Sequence, residues 1–342
     1  MKRLKMTTIK EIALKTGYSS ATVSRILNND QTFSVTDSTR ETVQTVARQL
    51  EYISVGSNQF LDINLAVIFS INPDEELEDV YYVKMREIIE ATAKKSGLKI
   101  IFYKNVMELS ENVRGVLLIG KFNQDALNEI IKKEIICVFV DSNPNPGIFT
   151  SVQPNLEFTI TRALNEFRSR NFTKVGFIGG KLWNKGDNAF QFDDLRRRYF
   201  ESYAKEISIY SKEFVFIGSD FSTSSGYRIG KKILNAYSEN ELPQAFLIGS
   251  DSLAIGVLRA FNEENISVPY TTAFISINDI EVAKFSSPSL TTFKINIDDM
   301  INEALNLLHQ RIINPKTTSP EVVLKSPELI YRETFPRKID NR

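Results

Sequence analysis

The chain has 342 residues, of which 42% are hydrophobic and 25% charged, and its 42 basic residues balance its 42 acidic ones. This length predicts two or three compact units, and the composition is ordinary for a globular protein. The single cysteine, Cys137, excludes an internal disulfide. With one histidine, His309, zinc sites of the Cys/His type are excluded, and a histidine-dependent catalytic triad has no supporting motif. We expect no metal and no cofactor.

Neither a signal peptide nor a membrane span is predicted. No apolar run approaches the ~20 residues that span a bilayer, and the basic start (Lys2, Arg3, Lys5) precedes no apolar stretch. The expected location is the cytoplasm, with no membrane partner. Residues 1–60 carry eight basic and five acidic side chains, so a mildly basic head precedes an acidic body. This bias fits phosphate contacts with DNA, although it proves little alone.

Residues 8–50 have the pattern of a helix-turn-helix. Apolar residues three and four positions apart mark a first and a third helix; they are Ile9, Ile12 and Ala13, then Val43, Val46, Ala47 and Leu50. Gly17 follows the first helix, where a residue free to adopt positive φ is needed. Thr36 can cap the third helix.

The second predicted helix is short, rich in hydroxyl groups and tipped by an arginine. Val23, Ile26 and Leu27 form its apolar inner face, whereas its outer face offers small polar groups and Arg25. Such groups can enter the major groove and contact base edges and phosphates. DNA binding is the favoured interpretation, and a three-helix domain without nucleic acid is the alternative.

This segment resembles the N-terminal signature of the lactose/galactose repressor (LacI/GalR) family. Further stretches are similar to the sugar-binding core of that family, and some to the subgroup of galactose-operon and evolved-β-galactosidase repressors. The signature lies in residues 8–13, 17 and 22–28, the core stretches are 176–180, 250–256 and 287–292, and the subgroup stretches are 79–82, 221–227 and 275–280.

The resemblance implies a homodimer that binds double-stranded operator DNA at two half-sites of a near-palindrome. Ser20 and Ala21 would read bases, and Arg25 would contact a base or a phosphate. The full set of expected DNA contacts is Thr8, Ser19, Ser20, Ala21, Thr22, Ser24, Arg25, Asn28, Thr36 and Leu61. No leucine heptads follow residue 334, so a tetramer is not expected.

Residues 53–62 have linker composition. The resemblance implies a hinge helix that folds on the operator, where Leu61, or its rival Phe60, would wedge into the minor groove. The chain departs from the family here, because Ser54 and Val55 replace the usual Pro-Asn pair and Gly56 follows. Glycine disfavours a helix by ~1 kcal/mol, so a flexible linker is the alternative.

From residue 63 onward, apolar strands alternate with helices, which predicts parallel sheets with helices on both faces. Predicted strands include 65–69, 116–119, 138–140, 175–178, 214–216, 245–248 and 273–276, and helices are expected near 82–95, 125–133 and 158–170. The resemblance implies an α/β core of two doubly wound, periplasmic-binding-protein-like subdomains behind the all-α head. The predicted units are a head of 1–52, a hinge of 53–62, an N-subdomain of 63–156 plus 294–325 and a C-subdomain of 157–293 plus 326–337, with crossings near Leu156, Phe293 and Lys325.

Ligands of such sheets bind beyond the carboxyl ends of the strands, which here means the cleft between the subdomains. No nucleotide-binding glycine motif is present. A sugar site needs planar polar groups and an aromatic face, and strand ends together with the resemblance indicate Ser70, Tyr81, Asp141, Arg196, Phe221, Ser250 and Asn278. The subgroup implies galactose or a β-galactoside.

Several residues in or near these positions have simpler interpretations. Asp251 is expected to cap a helix that begins at Ser252 rather than to contact a ligand. Asp279 is left open between the two roles. Phe221 could be ordinary core. Arg197 and Arg198 are expected to be solvated.

The core would also suit a solute-binding protein or an enzyme. The helix-turn-helix and the missing signal peptide argue against the first. An enzyme would use Asp141 with Asp251 or Asp279 for acid/base chemistry, but no other part of the pattern asks for a reaction. We therefore predict a non-enzymatic repressor whose operator affinity is controlled by a small sugar.

Overall fold

The computed structural model describes residues 8–27, 33–50, 64–71, 80–96, 98–184, 190–192, 194–314 and 319–337. It contains a small helical head and two six-stranded sheets covered by helices. The predicted fold class is therefore confirmed. None of the described helices is long and apolar enough to cross a membrane.

The head consists of α1 (Ile9–Thr16), α2 (Ser20–Leu27) and α3 (Asp37–Gln49). A capping box between Thr8 and Glu11 begins α1, and Gly17 ends it with a φ of 76°, a conformation that glycine adopts at no steric cost. The inward faces of the helices form a common apolar core, made of Ile12, Val23, Ile26, Leu27, Val43 and Ala47. The three predicted helices are thus confirmed.

The first sheet is entirely parallel, in the order β13-β5-β4-β3-β1-β2. Its strands are β1 (Asn64–Phe69), β2 (Lys99–Tyr103), β3 (Val113–Ile119), β4 (Cys137–Val140), β5 (Thr150–Pro154) and β13 (Val322–Lys325). The helices of this unit are α4 (Val80–Ser96), α5 (Gln124–Lys132) and α10 (Ile297–Ile313). The central strands β1, β3 and β4 are almost wholly buried, as expected for a sheet covered on both faces.

The second sheet has the order β14-β12-β11-β10-β6-β9 and is parallel except for the β12–β14 pair. Its strands are β6 (Val175–Gly179), β9 (Tyr210–Ile217), β10 (Ala245–Ile248), β11 (Ala273–Asn278), β12 (Thr291–Lys294) and β14 (Glu328–Ile330). Its helices are α6 (Leu156–Ser169), α7 (Leu195–Glu206), α8 (Thr223–Ala236) and α9 (Asp251–Glu263). A small hairpin is formed by β7 (Leu182–Asn184) and β8 (Phe190–Phe192).

The chain passes from one sheet to the other three times: after β5, after β12 and between β13 and β14. Because β12 extends to Lys294, this residue still belongs to the second sheet, one position beyond the predicted crossing at Phe293. Three adjacent connections between two rigid layers are a geometry that permits hinge motion. The predicted hinge, residues 53–62, lies outside the described residues.

Candidate functional site

In the head, the predicted DNA-contacting side chains lie on and around α2. Ser20, Ala21 and Arg25 are exposed, whereas Thr22 and Ser24 are partly buried. The exposed polar surface of α2 is therefore small in profile and ends in a guanidinium group, which suits a helix that enters the major groove. Asn28 and Leu61 lie outside the described residues.

Three of the predicted DNA contacts also serve as helix caps. The Thr8 hydroxyl accepts from Glu11 N at 3.3 Å, the Ser19 hydroxyl accepts from Thr22 N at 3.1 Å, and the Thr36 hydroxyl accepts from Thr39 N at 3.3 Å. A hydroxyl that accepts a backbone N–H keeps a proton to donate. The Thr8 hydroxyl donates this proton to Glu11 Oε2 at 3.4 Å, so a phosphate contact there would replace that hydrogen bond. Whether these three residues touch DNA stays a prediction.

The cleft contains a cavity of about 730 Å³ between the carboxyl ends of strands from both sheets. Six of the seven predicted effector residues lie on its wall; they are Tyr81, Asp141, Arg196, Phe221, Ser250 and Asn278. Ser70 is not on this wall. It follows β1 and lies against the turn at Gly120, whose φ is 86°, so the cavity does not support its predicted ligand contact.

On the first-sheet side, Asp141 follows β4 with a φ of 71° and faces two tyrosines. The Tyr81 hydroxyl donates to Asp141 Oδ1 at 2.9 Å, and the Tyr82 hydroxyl donates to Oδ2 at 3.2 Å. Both carboxylate oxygens are thus oriented, and each keeps a free lone pair for a further donor. Tyr82 was missed by sequence reasoning, although its position beside Tyr81 at the start of α4 is a signal that could have indicated it.

On the second-sheet side, Arg196 stands at the start of α7 and is fixed by three contacts. Its Nε donates to Asp194 Oδ1 at 2.9 Å, its Nη1 donates to the Gly249 carbonyl at 2.8 Å, and its guanidinium carbon lies 4.1 Å from the centre of the Phe221 ring. Phe221 is therefore more than ordinary core, because it holds the face of the guanidinium. Asp194 was not predicted as a site residue; in the sequence it has only the features of an ordinary cap of α7.

The charge of Arg196 is secure. Burial lowers the pKa of this guanidinium, but the charge of Asp194 and its hydrogen bond raise it by more, and Asp141 and Tyr82 add to the increase. Asp141 from the first sheet and Arg196 from the second both lie on the wall of the cavity, so a carboxyl group and a guanidinium from opposite sheets line the same space. A polyol placed between them could donate hydroxyl protons to the carboxylate and accept from the guanidinium.

The expected role of Asp251 as a helix cap is wrong. Ser250 caps α9, since its hydroxyl accepts from Leu253 N at 3.3 Å, and the helix begins at Asp251 itself. Asp251 is fully buried instead and accepts three hydrogen bonds. The donors are the Ser276 hydroxyl at 2.5 Å, the Thr292 hydroxyl at 2.6 Å and the Ile280 amide at 2.8 Å. Burial raises the pKa of Asp251 to about 6, against the lowering effect of these donors.

Asn278 and Asp279, at the end of β11, have different roles. Asn278 lies on the cavity wall with a φ of 120°, whereas Asp279, with a φ of 56°, forms an ion pair with Arg332 at 2.7 Å. Asp279 is therefore a structural residue that ties the loop after β11 to the segment after β14. Because Asp251 accepts from the amide of Ile280, the same loop is fixed from both sides.

Arg197 and Arg198 are exposed, as predicted. Arg197 pairs with Glu201 at 2.7 Å, one turn along α7, and such exposed pairs contribute little to stability.

The first-sheet side of the cavity carries amide side chains that sequence reasoning missed. They lie at or beyond the carboxyl ends of β3, β4 and β5 and are Asn123, Gln124, Asn143, Gln153 and Asn155. Their positions near the carboxyl ends of parallel strands are the signal that could have identified them.

Within the described residues, no group of three His, Cys, Asp or Glu side chains is arranged to hold a metal ion. Cys137 is buried in β4, and burial raises the pKa of its thiol to about 12. A thiol in this state is a poor nucleophile.

A helix-turn-helix joined to a two-sheet cleft defines a class of protein: a DNA-binding regulator with a ligand-binding core. Residues 8–54 match the family of bacterial regulatory proteins named lacI, and residues 164–335 match the family of periplasmic binding protein-like domains. The chain belongs to the lacI family of bacterial regulatory proteins.

Curated relatives match the chain from end to end. It is 37% identical over 335 residues to the HTH-type transcriptional regulator LacR of Lactobacillus helveticus, covering 96% of this chain and 98% of the relative. It is 34% identical to GanR of Bacillus subtilis (strain 168), covering 96% and 100%, and 35% identical to GalR of Lacticaseibacillus casei, covering 96% and 99%.

Among solved structures, the lac repressor dimer bound to operator and the anti-inducer ONPF has a TM-score of 0.67 at 20% identity, covering 97% of this chain and 100% of that one. A complex of the transcriptional regulator CelR with cellobiose also has a TM-score of 0.67 at 20% identity, covering 96% and 99%. At these identities the structures establish the shared fold.

Proposed function

We propose that this lacI-family regulator represses transcription as a homodimer bound to an operator, and that a small neutral sugar in the cleft controls its operator affinity. The observation that carries the proposal is the pair formed by Arg196 and Phe221, facing Asp141 across the cavity. A guanidinium, an aromatic face and a carboxylate are the groups that a sugar ring requires. The curated relatives, which are transcriptional regulators and repressors, support the DNA-binding part.

Galactose or a β-galactoside is the effector that we propose, on the basis of the subgroup resemblance and the similarity to a regulator named GalR. The cavity favours an uncharged ligand. Among the described residues that line it, the basic side chains are Arg196, which is neutralised by Asp194, and Lys121, while Asp125, Asp141 and Glu157 add negative charge. A phosphate would face this excess of negative charge, and the cost of like charges in a cleft is substantial.

The proposed control mechanism uses the two sheets as the two walls of a hinged cleft. A sugar that contacts Asp141 on one side and Arg196 on the other binds the closed cleft better than the open one. It therefore shifts the equilibrium only by this difference in affinity. In a dimer, the shift changes the spacing of the two heads, and the half-sites of a palindrome tolerate one spacing.

The same proposal assigns the domain boundaries, the location and the absence of catalysis. We place the head at residues 1–52, the hinge at residues 53–62, and the boundaries between the two core subdomains at the points where the chain crosses from one sheet to the other. We also place the protein in the cytoplasm, where its operator lies. We propose that the cleft binds its sugar without turnover, a proposal that is supported by the relatives, which are transcriptional regulators.

The experiment that tests the proposal is a titration of the full chain against a palindromic DNA fragment from the region upstream of its gene, at fixed salt, with and without galactose. Fixed salt is needed because phosphate contacts make DNA affinity depend steeply on ionic strength. Tight binding weakened by galactose supports both parts. Tight binding indifferent to galactose retains the repressor and rejects this sugar. Binding that matches a scrambled fragment of equal length contradicts the proposed operator at that place.

A second titration tests the head. Arg25→Ala should weaken binding to the specific fragment by about 5- to 150-fold if the guanidinium contacts a guanine through two hydrogen bonds, a loss of ~1–3 kcal/mol. Arg40→Ala, on α3, is a matched control for the loss of one positive charge from the head. An unchanged affinity in Arg25→Ala would remove this residue from the interface.

A further inference from the structure

We infer that Phe33 is a positioning residue that orients the guanidinium of Arg25 for base recognition; the inference rests on the operator-binding role proposed for the head. The guanidinium carbon of Arg25 lies 5.2 Å from the centre of the Phe33 ring, within the ~6 Å range of cation–π contacts. Arg25 stands in the last turn of α2, and Phe33 lies in the segment that leads to α3. The contact therefore links the recognition helix to the next element of the head.

The Phe33 ring is itself held in place. It is partly buried and packs against the apolar core of the head, to which Ile12, Val23 and Val43 contribute fully buried side chains. A ring fixed in this way presents a constant surface to the guanidinium. Arg25, in contrast, is exposed and would otherwise sample many rotamers.

Among the residues that the structure describes, no carboxylate pairs with Arg25, and its guanidinium contacts the Phe33 ring instead. The difference between a carboxylate and an aromatic partner matters for DNA binding, because a carboxylate would occupy the N–H donors that a base must use. An aromatic face uses the π surface of the guanidinium and leaves the donors in its plane available. Two such donors in parallel match the O6 and N7 acceptors of guanine in the major groove.

The expected consequence is a gain in base discrimination rather than in general affinity. Contacts to phosphates tolerate a flexible cationic side chain, whereas a two-donor contact to one base requires a fixed orientation. A side chain that is already restrained loses less conformational entropy when it binds. Phe33 should therefore increase the preference of Arg25 for a G·C pair and leave non-specific DNA binding unchanged.

The test begins with a random duplex pool, from which the wild-type full-length chain enriches its preferred site. Each base pair of the enriched site is then replaced in turn, and affinity is measured for wild type and for Arg25→Ala, which identifies the base pair that Arg25 reads. Phe33→Leu retains an apolar side chain without a π face, and Phe33→Tyr retains the ring. Phe33→Leu should reduce discrimination at the Arg25 base pair by roughly two- to fivefold, as expected for an exposed cation–π contact, and Phe33→Tyr should restore it.

The decisive control is the same substitution in an Arg25→Ala background, where Phe33→Leu should have no further effect on discrimination. If Phe33→Leu lowers affinity equally at every base pair, or has the same effect with and without the Arg25 side chain, Phe33 is only a packing residue and the inference is overturned. If the helical signal shows that the leucine variant unfolds the head, Phe33→Met takes its place, because methionine fills irregular space. A pool that does not enrich, or an Arg25→Ala chain with unchanged base preferences, contradicts the proposed function of the head itself.

Discussion

The contacts of single side chains in the cleft determine which substitutions should separate sugar response from DNA binding. Arg196 is held by Asp194, by the Gly249 carbonyl and by the face of Phe221. Lysine in its place would keep a positive charge beside Asp194. It could not provide the planar set of donors, nor stack on the ring in the same way.

Arg196→Lys should therefore weaken sugar binding by about 10- to 150-fold, the range given by the ~1.5–3 kcal/mol of a hydrogen bond to a charged group. Operator affinity without sugar should stay within about twofold, because the head is unchanged. Isothermal titration with galactose and fluorescence anisotropy with operator DNA measure the two quantities. Arg197→Lys, one residue further and exposed, should change neither, and equal losses in both variants would remove Arg196 from the sugar site.

A second residue-scale prediction concerns Asp251 and pH. Because burial raises its pKa to about 6 from an ordinary value of 3.8, the folded chain binds a proton more tightly than the unfolded chain. This group therefore stabilises the fold fully below pH ~4, and its contribution is lost as pH rises through about 6. The loss is on the order of 2–3 kcal/mol.

Asp251→Asn should remove this pH dependence. Its amide oxygen can still accept from Ile280 N, and the hydroxyls of Ser276 and Thr292 can rotate to accept from the amide nitrogen. Urea titrations at pH 4, 5, 6 and 7 should show wild type losing stability relative to the variant as pH rises. Asp298→Asn, exposed on α10, is the control. Parallel curves for wild type and Asp251→Asn would show that the carboxyl keeps an ordinary pKa.

At the scale of whole elements, α8 and α9 approach each other closely at two glycines. A Cβ built on Gly226 would lie 2.1 Å from the Leu253 carbonyl oxygen, and one built on Gly256 would lie 2.0 Å from that of Thr223. Both obstacles are backbone atoms, so no rotamer change can relieve the clash. The two helices would have to separate, which costs packing along their whole contact.

Gly226→Ala and Gly256→Ala should each lower the free energy of unfolding by about 1–3 kcal/mol, even though alanine improves helix propensity by about 1 kcal/mol. Differential scanning calorimetry measures the change. Gly147→Ala is the control, because its nearest contact is the flexible Asn145 side chain at 3.3 Å. An unchanged or raised melting temperature in both helical variants would mean that the helices have room to adjust.

The elements also show what sequence patterns can predict. Central strands such as β3 and β10 were predicted because they are continuous apolar runs. The edge strands β2 and β13 were not predicted, since exposed residues recur along each of them. Strand β5 was not predicted either, because it contains polar residues and ends in a proline. These strands are specified by pairing with neighbours rather than by their own composition.

The same limit applies to the cleft. Polar residues directly after predicted strands, such as Asp141 and Asn278, could be found from the sequence because parallel strands carry their ligands there. Asp194 could not be distinguished from an ordinary helix cap, and the exchange of roles between Ser250 and Asp251 depends on which residue begins α9 by a single position. Boundaries of elements are the least predictable feature of a sequence.

For the whole molecule, the two sheets and the head must behave as coupled parts of one equilibrium. If galactose weakens operator affinity by a given factor, the operator must weaken the binding of the dimer's two galactose molecules by the same factor in total, because both report one coupling free energy. For two equivalent clefts, each galactose affinity therefore changes by the square root of that factor. A factor of 5–150 corresponds to about 1–3 kcal/mol, comparable to one or two hydrogen bonds to charged groups. In the mechanism proposed above, hydrogen bonds from one sugar to both Asp141 and Arg196 would supply a free energy of this size.

The prediction is that the ratio of galactose affinities per site, measured for the free dimer and for the dimer saturated with operator, equals when squared the ratio of operator affinities measured without and with saturating galactose. Both ratios should fall towards one in Asp141→Asn, which keeps the side chain's size but removes the charge that faces Arg196, while Arg197→Lys should leave them unchanged. Sedimentation velocity during both titrations must show a constant mass of two chains, because dissociation would add a second equilibrium. If the squared galactose ratio differs from the operator ratio at constant mass, galactose occupies another site besides the two clefts, and the two-wall mechanism would then be wrong.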